Sequence, residues 1–537
     1  MSHLRRLFAV VALALVVAPL VASAPLFDPD EGLHAAIAQE MVQRGDYVTP
    51  TFRGEPFLDK PILFFWAEAA SLRLVGHNAA AVRLPPLLFG LFGMIAVALL
   101  GRALFDEAAG LIAGIAYGTM LLPMGVSEVA VHDIGLVPFM CLAALCLVRL
   151  ENNLVASAFR RKILFYGFAA GFVLGLSILT KGLVGIVFTG ILAVCLTVRR
   201  PESWLRLGVT LTIAVVVALL VAAPWYIAME HAHPGYLYYY FVERHLQGYL
   251  TATQRHAGRP FWYYVPIVIG GALPWTGYLA GAVRSALGGA PGSPEIWLRR
   301  TLWGWFAVGL VFLSIGESKL VTYALPLFPI LALIVGEHLA TRSSRGFGYI
   351  IHVAALALLP ALGLVALKVK FGEARPFLWT AVLLLGLAVV LIGRHARRSP
   401  SADALIDGIA RMSVLALLGL MLVAPRAAAW MTGRDLAATF NAAGALPSRV
   451  WIIDERIGSL IFYLDPPLRA QAGTDRVDVS SFPEAVTHAR VDPDDTIFAV
   501  RDNQLPRFNR MFASPPAPDT RAGTFSLFRA ETLRKSY

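Results

Sequence analysis

Residues 207–229 read LGVTLTIAVVVALLVAAPWYIAM, a run with no charged side chain. A helix of about 20 apolar residues crosses the hydrocarbon core of a bilayer, so this run is long enough to span one. Working outward with a window of about 19 residues, comparable runs fall at 7–26, 82–101, 108–126, 133–150, 163–180, 182–198, 261–283, 301–316, 320–340, 347–368, 376–393 and 410–428, roughly thirteen spans in all. Several contain Pro or Gly, which membrane helices tolerate. Composition agrees. Of 537 residues, 57% are hydrophobic and only 15% charged, against about 45–50% and about 25% in a soluble domain. A soluble cytoplasmic enzyme, a disordered chain and a fibrous repeat are excluded, and a polytopic α-helical membrane protein is expected. Cys141, Cys146 and Cys195 all sit in apolar runs, so neither a disulfide framework nor a zinc knuckle is expected.

The net charge of +11 would suit a nucleic-acid partner only if it were clustered. Instead Arg5 and Arg6, Arg102, Arg199 and Arg200, Arg299 and Arg300, and Arg397 and Arg398 fall in alternate short loops, the positive-inside pattern. Ala22-Ser23-Ala24 resembles a signal cleavage site. Pro25 directly after it argues against cleavage, so an uncleaved first helix is expected. With the N-terminus inside, loops 27–81 and 230–260 and the tail lie outside. The expected organisation is a membrane domain over 1–430 and a C-terminal domain over 431–537. In that tail Arg449–Ile453, Thr496–Val500 and Thr524–Phe528 read as strands between Pro and Asp turns, hence a small α/β unit.

Ionisable residues at membrane depth or at span ends are costly and therefore candidate functional groups. In Asp28-Pro29-Asp30-Glu31, Asp28 suits an N-cap, Pro29 the first helical position and Glu31 a capping box. That leaves Asp30 unexplained, and a free carboxylate beside a span can act as a general base. In Leu58-Asp59-Lys60-Pro61, Asp59 suits a cap. Lys60 opposes the helix dipole unless an anion sits there, so it suits a phosphate site. Glu128, His132 and Asp133 flank a short outside loop, where interfacial solvation is the plain account, and Lys181 reads as a span-end lysine that snorkels. Loop 230–260 is dense in Tyr and Phe around Arg244 and His245, with Arg255 and Arg259 following. An aromatic belt explains the rings but not His245, which is chemically able to join Asp59 on a divalent ion completed by substrate phosphate and water. Lys319 and Tyr323 stand four apart, hence on one face of an expected helix. Asp30, Lys60, Asp133, Lys181, His245 and Lys319 come from six regions, yet the charge rule puts all six on one side. An enzyme acting on a lipid-linked phosphate is expected there. A transporter would instead carry its charges along helix centres.

The run DPDEGLHAAIAQEMVQRGDYVTPTFRGEPFLDKPILFFW, followed by LTKGLVGIV, YYYFVERHLQGYL, GRPFWYYVP and SKLVTYALPLFP, resembles bacterial aminoarabinose-transferase-like glycosyltransferases, relatives of the protein O-mannosyltransferases. The similarity covers nearly all of residues 1–430. It implies a C-type glycosyltransferase fold, with about thirteen membrane helices and a small periplasmic α/β domain. It also implies an inverting enzyme of the bacterial inner membrane, active on the periplasmic side. Such an enzyme moves a sugar from a polyprenyl (undecaprenyl) phosphate carrier to lipid A or a related glycolipid. A protein O-glycosyltransferase of the same architecture is the alternative. By resemblance, Asp30 is the catalytic base and Asp133 a second acidic position. Lys60 contacts the donor phosphate, and Lys319 and Tyr323 approach it. Asp59, where the family usually has Glu, and His245 share a divalent metal (zinc, magnesium or manganese). The family pattern has an arginine three residues after His245. Here Gly248 stands there, so Arg244, Arg255 or Arg259 supplies that contact.

Overall fold

The computed structural model describes residues 2–21, 24–152, 159–251, 258–288, 293–342, 346–372, 376–399 and 402–536. Ala22 and Ser23 of the apparent cleavage site, and the candidate Arg255, lie outside them. Each of the thirteen apolar runs coincides with a helix or a bent helix pair among the described residues. Eight of these helices are long and apolar enough to cross a membrane, or ten if each bent pair is one span. The pair Glu107–Thr119 and Leu121–Ser127 bends by 65°, and Phe261–Gly271 and Thr276–Leu287 by 110°. Two further apolar helices, Val184–Arg199 and Leu327–Thr341, are shorter. Leu327–Thr341 is buried continuously from Leu327 to Leu339, so protein rather than lipid surrounds it.

Local chemistry sets several boundaries. Asn78 accepts from the Ala81 amide at 2.9 Å to start Ala79–Leu104. Asp106 does the same for Ala109 at 2.8 Å to start Glu107–Thr119. Helices 161–181 and 201–232 pack backbone to backbone along Gly167, Gly171 and Gly175. A Cβ at these positions would meet Ile213, the Ala214 carbonyl and Val221 at 2.8, 2.7 and 2.6 Å. Lipid offers no hydrophobic drive between helices, so such small-residue stripes supply the close contact that holds them.

Loop 27–81 folds into helix Asp30–Arg44, a short antiparallel hairpin of β1 (Thr51–Phe52) and β2 (Glu55–Pro56), and helix Leu63–Val75. Loop 230–260 contains a π-helical stretch, Tyr238–Gln247, a rare geometry found most often at functional sites. The tail forms a five-stranded mixed sheet from β3 (Val450–Ile453), β4 (Val477–Ser480), β5 (Ile497–Arg501), β6 (Thr520–Ala522) and β7 (Phe525–Arg529), in the order β4-β3-β5-β7-β6. Strand β3 pairs in parallel with β4 and β5, while β7 pairs antiparallel with β5 and β6. The three strands read from sequence are β3, β5 and β7. Strand β3 is buried throughout, as expected for a strand covered on both faces.

Two capping assignments and one helix do not hold. Helix Asp30–Arg44 has Pro29 at its N-cap with no side-chain cap, because both oxygens of Asp28 are bonded to Ser459 instead. Helix Leu63–Val75 likewise lacks a side-chain cap, and Asp59 pairs elsewhere. Residues 317–320 are not helical and Val321–Ala324 is a 3₁₀ turn, so Lys319 and Tyr323 do not share an α-helical face. Here the Glu317 amide donates to the Tyr249 carbonyl at 2.9 Å and Lys319 Nζ to the Arg259 carbonyl at 3.2 Å. Partners from the neighbouring loop replace the helical ladder.

Candidate active site

Asp30 opens helix Asp30–Arg44, exposed, between two buried carboxylates. Glu31 is held by Arg83, whose Nε and Nη2 donate to Oε1 and Oε2 at 2.8 and 2.7 Å. The Phe27 amide also donates to Glu31, at 3.0 Å. Asp28 is fixed by Ser459, and burial pushes its carboxyl up to about 6. Asp30 itself makes no hydrogen bond or ion pair among the described residues, although its charge reaches Lys181, Tyr323 and His34.

Opposite lies a group of cations. Lys181 does not snorkel. It turns inward, donates to Asp133 Oδ2 at 2.6 Å and stands 4.9 Å from the centre of the Tyr323 ring. Arg244 Nη2 pairs with Asp59 Oδ2 at 2.7 Å, while the Tyr239 hydroxyl donates to Asp59 Oδ1 at 2.5 Å. Lys60 lies between these pairs, feeling Lys181, Asp133, Asp59 and Arg244, yet it makes no hydrogen bond or ion pair among the described residues. Burial and the neighbouring Lys181 push its ammonium down to about 8. With Lys181–Asp133 and Arg244–Asp59 paired, Lys60 and Asp30 are left without an ionic partner among the described residues of this cluster. A half-buried ammonium without a counter-ion beside two further cations is an anion site.

His245 Nδ1 bonds the Tyr240 carbonyl at 2.7 Å, five residues back along the π-helical stretch. Its Nε2 faces Gly182, where a Cβ would stand 2.5 Å away. Gly182 also has φ +79°, so glycine is required twice over. Burial, and after it the Lys60, Lys181 and Arg244 cations, hold His245 below its ordinary value. Asp59 carries Arg244 on one oxygen and the Tyr239 hydroxyl on the other, so its charge is already balanced by a guanidinium that a divalent ion would have to stand beside. Among the described residues no three His, Cys, Asp or Glu side chains converge as a metal site.

The expected residues are thus unequally gathered. Asp30, Asp59, Lys60, Asp133, Arg244, His245 and Tyr323 share one electrostatic cluster with Lys181. Lys319 is buried and bonded to the Arg259 backbone, while Arg259 is exposed and lies 5.8 Å from the Tyr263 ring. Behind the cluster His132 is packed against Phe64, Phe65 and His34 at 4.6, 4.7 and 4.7 Å between ring centres. Glu128 is half-buried, and burial pushes its carboxyl up to about 7. His132 is not solvated at an interface. Sequence reading missed Arg83 and Tyr239. An arginine at the start of an apolar helix was the available signal for the first.

A family model described as dolichyl-phosphate-mannose-protein mannosyltransferase matches residues 59–227. An undecaprenyl phosphate-alpha-4-amino-4-deoxy-L-arabinose arabinosyl transferase of Pectobacterium carotovorum is 32% identical over 313 residues, 58% of this chain. The match spans only about half, 54%, of that relative's length. The enzyme of the same description from Erwinia tasmaniensis is 30% identical over 419 residues, covering 71% of this chain and 72% of the relative. Among solved structures, ArnT from Cupriavidus metallidurans bound to undecaprenyl phosphate superposes with a TM-score of 0.75 at 24% identity, covering 98% of this chain and 97% of that one. The C-type glycosyltransferase fold expected from the sequence is the observed fold.

Proposed function

Because this chain belongs to the family of undecaprenyl phosphate-alpha-4-amino-4-deoxy-L-arabinose arabinosyl transferases, we propose that it is a membrane glycosyltransferase. It takes a sugar from an undecaprenyl phosphate carrier and passes it to lipid A or a related glycolipid. The reaction takes place on the periplasmic side of the bacterial inner membrane. The observation that carries this reading is the pair of groups left over when every other charge in the cluster is matched. Among the described residues Lys60 has no anion, and a donor phosphate supplies one. Asp30 has no cation among them, and an acceptor hydroxyl supplies a proton.

The steps follow from that arrangement. The phosphate settles on Lys60, with Lys181 and Arg244 adjacent and Tyr323 alongside. As the anomeric carbon–oxygen bond breaks, the leaving phosphate gains negative charge, and fixed cations that need not reorganise stabilise it. Asp30 accepts the acceptor's proton and holds its oxygen in line with the anomeric carbon, so the sugar inverts. If the acceptor is already anionic, Asp30 only orients it. Asp133 keeps Lys181 turned inward. No step requires a metal.

The test has two arms. Mass spectrometry of outer-surface lipids and proteins, with and without the gene, should show one sugar-sized mass lost from a glycolipid class. The family-model match favours a protein acceptor as the second reading, and loss from glycoproteins alone would select it. Asp30→Asn should abolish transfer while leaving donor binding intact. Turnover near the wild-type rate would remove Asp30 from its role.

A further inference from the structure

The start of helix Asp30–Arg44 is not fixed locally, since Pro29 at its N-cap offers no side-chain bond. It is fixed from the far end of the chain. The Ser459 amide donates to Asp28 Oδ1 at 3.0 Å, and the Ser459 hydroxyl donates to Asp28 Oδ2. That hydroxyl in turn accepts from the Gly433 amide at 2.7 Å. The Asp28 amide donates to the Met431 carbonyl at 2.8 Å. On either side of this contact the Leu26 amide donates to the Tyr463 hydroxyl at 2.9 Å, and Gln39 Nε2 to the Phe462 carbonyl at 3.2 Å.

The fit leaves no slack. A Cβ on Gly32 would stand 2.3 Å from the Ser459 nitrogen, and one on Gly458 2.2 Å from the Leu33 nitrogen. Helix Gly458–Tyr463 therefore abuts the first turn of helix Asp30–Arg44 backbone to backbone. Asp30 is two residues from Asp28 and two from Gly32, inside this contact, and is its one exposed, unbonded carboxylate.

We infer that Ser459 is a positioning residue for Asp30: by clamping Asp28 it sets where the first turn of helix Asp30–Arg44 stands relative to Lys60 and the donor phosphate. The inference rests on the reading of Asp30 as the base. Ser459 is wholly buried, so its loss acts on the rate of transfer and not on donor capture, which depends on cations outside this contact. A misplacement of about 1 Å at a reacting group costs on the order of 10²-fold in rate.

The experiment uses the full-length protein in proteoliposomes, with undecaprenyl-phosphate-linked aminoarabinose as donor and lipid A as acceptor. Ser459→Ala keeps the amide bond and removes the hydroxyl. It should lower kcat by ~10-fold or more with the donor KM changed less than ~2-fold. Should Ser459→Ala yield too little protein, Asp28→Asn preserves shape, weakens the clamp, and carries the same expectation. Unchanged kcat in the clamp variants, or donor KM rising in step with falling kcat, overturns the inference. Asp30→Asn run alongside separates the two readings. If it keeps near-normal turnover, the assignment of the base fails. If it is inactive while Ser459→Ala is normal, only the positioning role fails.

Discussion

Lys60 should make donor capture pH-dependent in a window where the donor phosphate does not titrate. Its ammonium is pushed down to about 8, first by burial and then by Lys181, and only the charged form attracts phosphate. About nine-tenths of it is charged at pH 7 and about one-tenth at pH 9. A sugar-linked phosphodiester keeps its single charge throughout this range. Donor affinity is therefore full below pH 8 and falls as pH rises through it, and the donor KM should rise roughly tenfold between pH 7 and pH 9. Replacing Lys60 with Gln removes one charge-assisted hydrogen bond, worth about 1.5–3 kcal/mol. At pH 7 that is about a 10- to 150-fold weaker donor interaction, and the pH dependence should vanish with it. Initial rates in proteoliposomes over a series of donor concentrations at each pH measure both effects. A Lys60→Gln enzyme that keeps the wild-type slope between pH 7 and pH 9 would show that another group titrates, and the anion site would have to move.

Other consequences concern the supports of the cluster. Glu31→Gln breaks a buried pair with Arg83 and should cost about 3–5 kcal/mol, read as a lower unfolding temperature in detergent. Arg73→Ala, which loses an exposed bond to Tyr47, should move it by under ~0.5 kcal/mol. Gly182→Ala meets both the positive φ and the His245 ring. It should lose transfer, and adding His245→Ala should not restore it, because the backbone strain of about 1–3 kcal/mol remains. Arg244→Gln strands the Asp59 carboxylate and should raise the donor KM about tenfold. Because Arg244 already balances the Asp59 charge, transfer after EDTA treatment should stay within about twofold of the untreated rate. A larger loss that zinc or magnesium reverses would restore a metal to the site.

The spans were legible because apolar runs of bilayer length admit few other structures. The cluster was legible because Asp30, Lys60, Asp133 and Lys181 stand at the ends of those runs, where a charge needs a reason. What was not legible depended on distant partners. Asp28 looks like a helix cap because its nearest amides belong to the following turn, yet its carboxylate goes to Ser459. Asp59 looks like a cap for the same reason and goes to Arg244. The spacing of Lys319 and Tyr323 fits a helix, but the Glu317 amide and Lys319 Nζ donate instead to the Tyr249 and Arg259 carbonyls of the neighbouring loop. The 110° bend within 261–287 left no mark on hydropathy, because both arms remain apolar.

Asp28 and Ser459 are 431 residues apart. The first turn that carries Asp30 is therefore made long before its support. While the ribosome is still at work, that turn has nothing to lean on, and an unfinished chain cannot assemble the pocket however well its helices have inserted. Competence should arrive only when helix Gly458–Tyr463 has folded back onto Asp28. A premature stop anywhere before Gly458 should thus leave an inert protein with no half-active form.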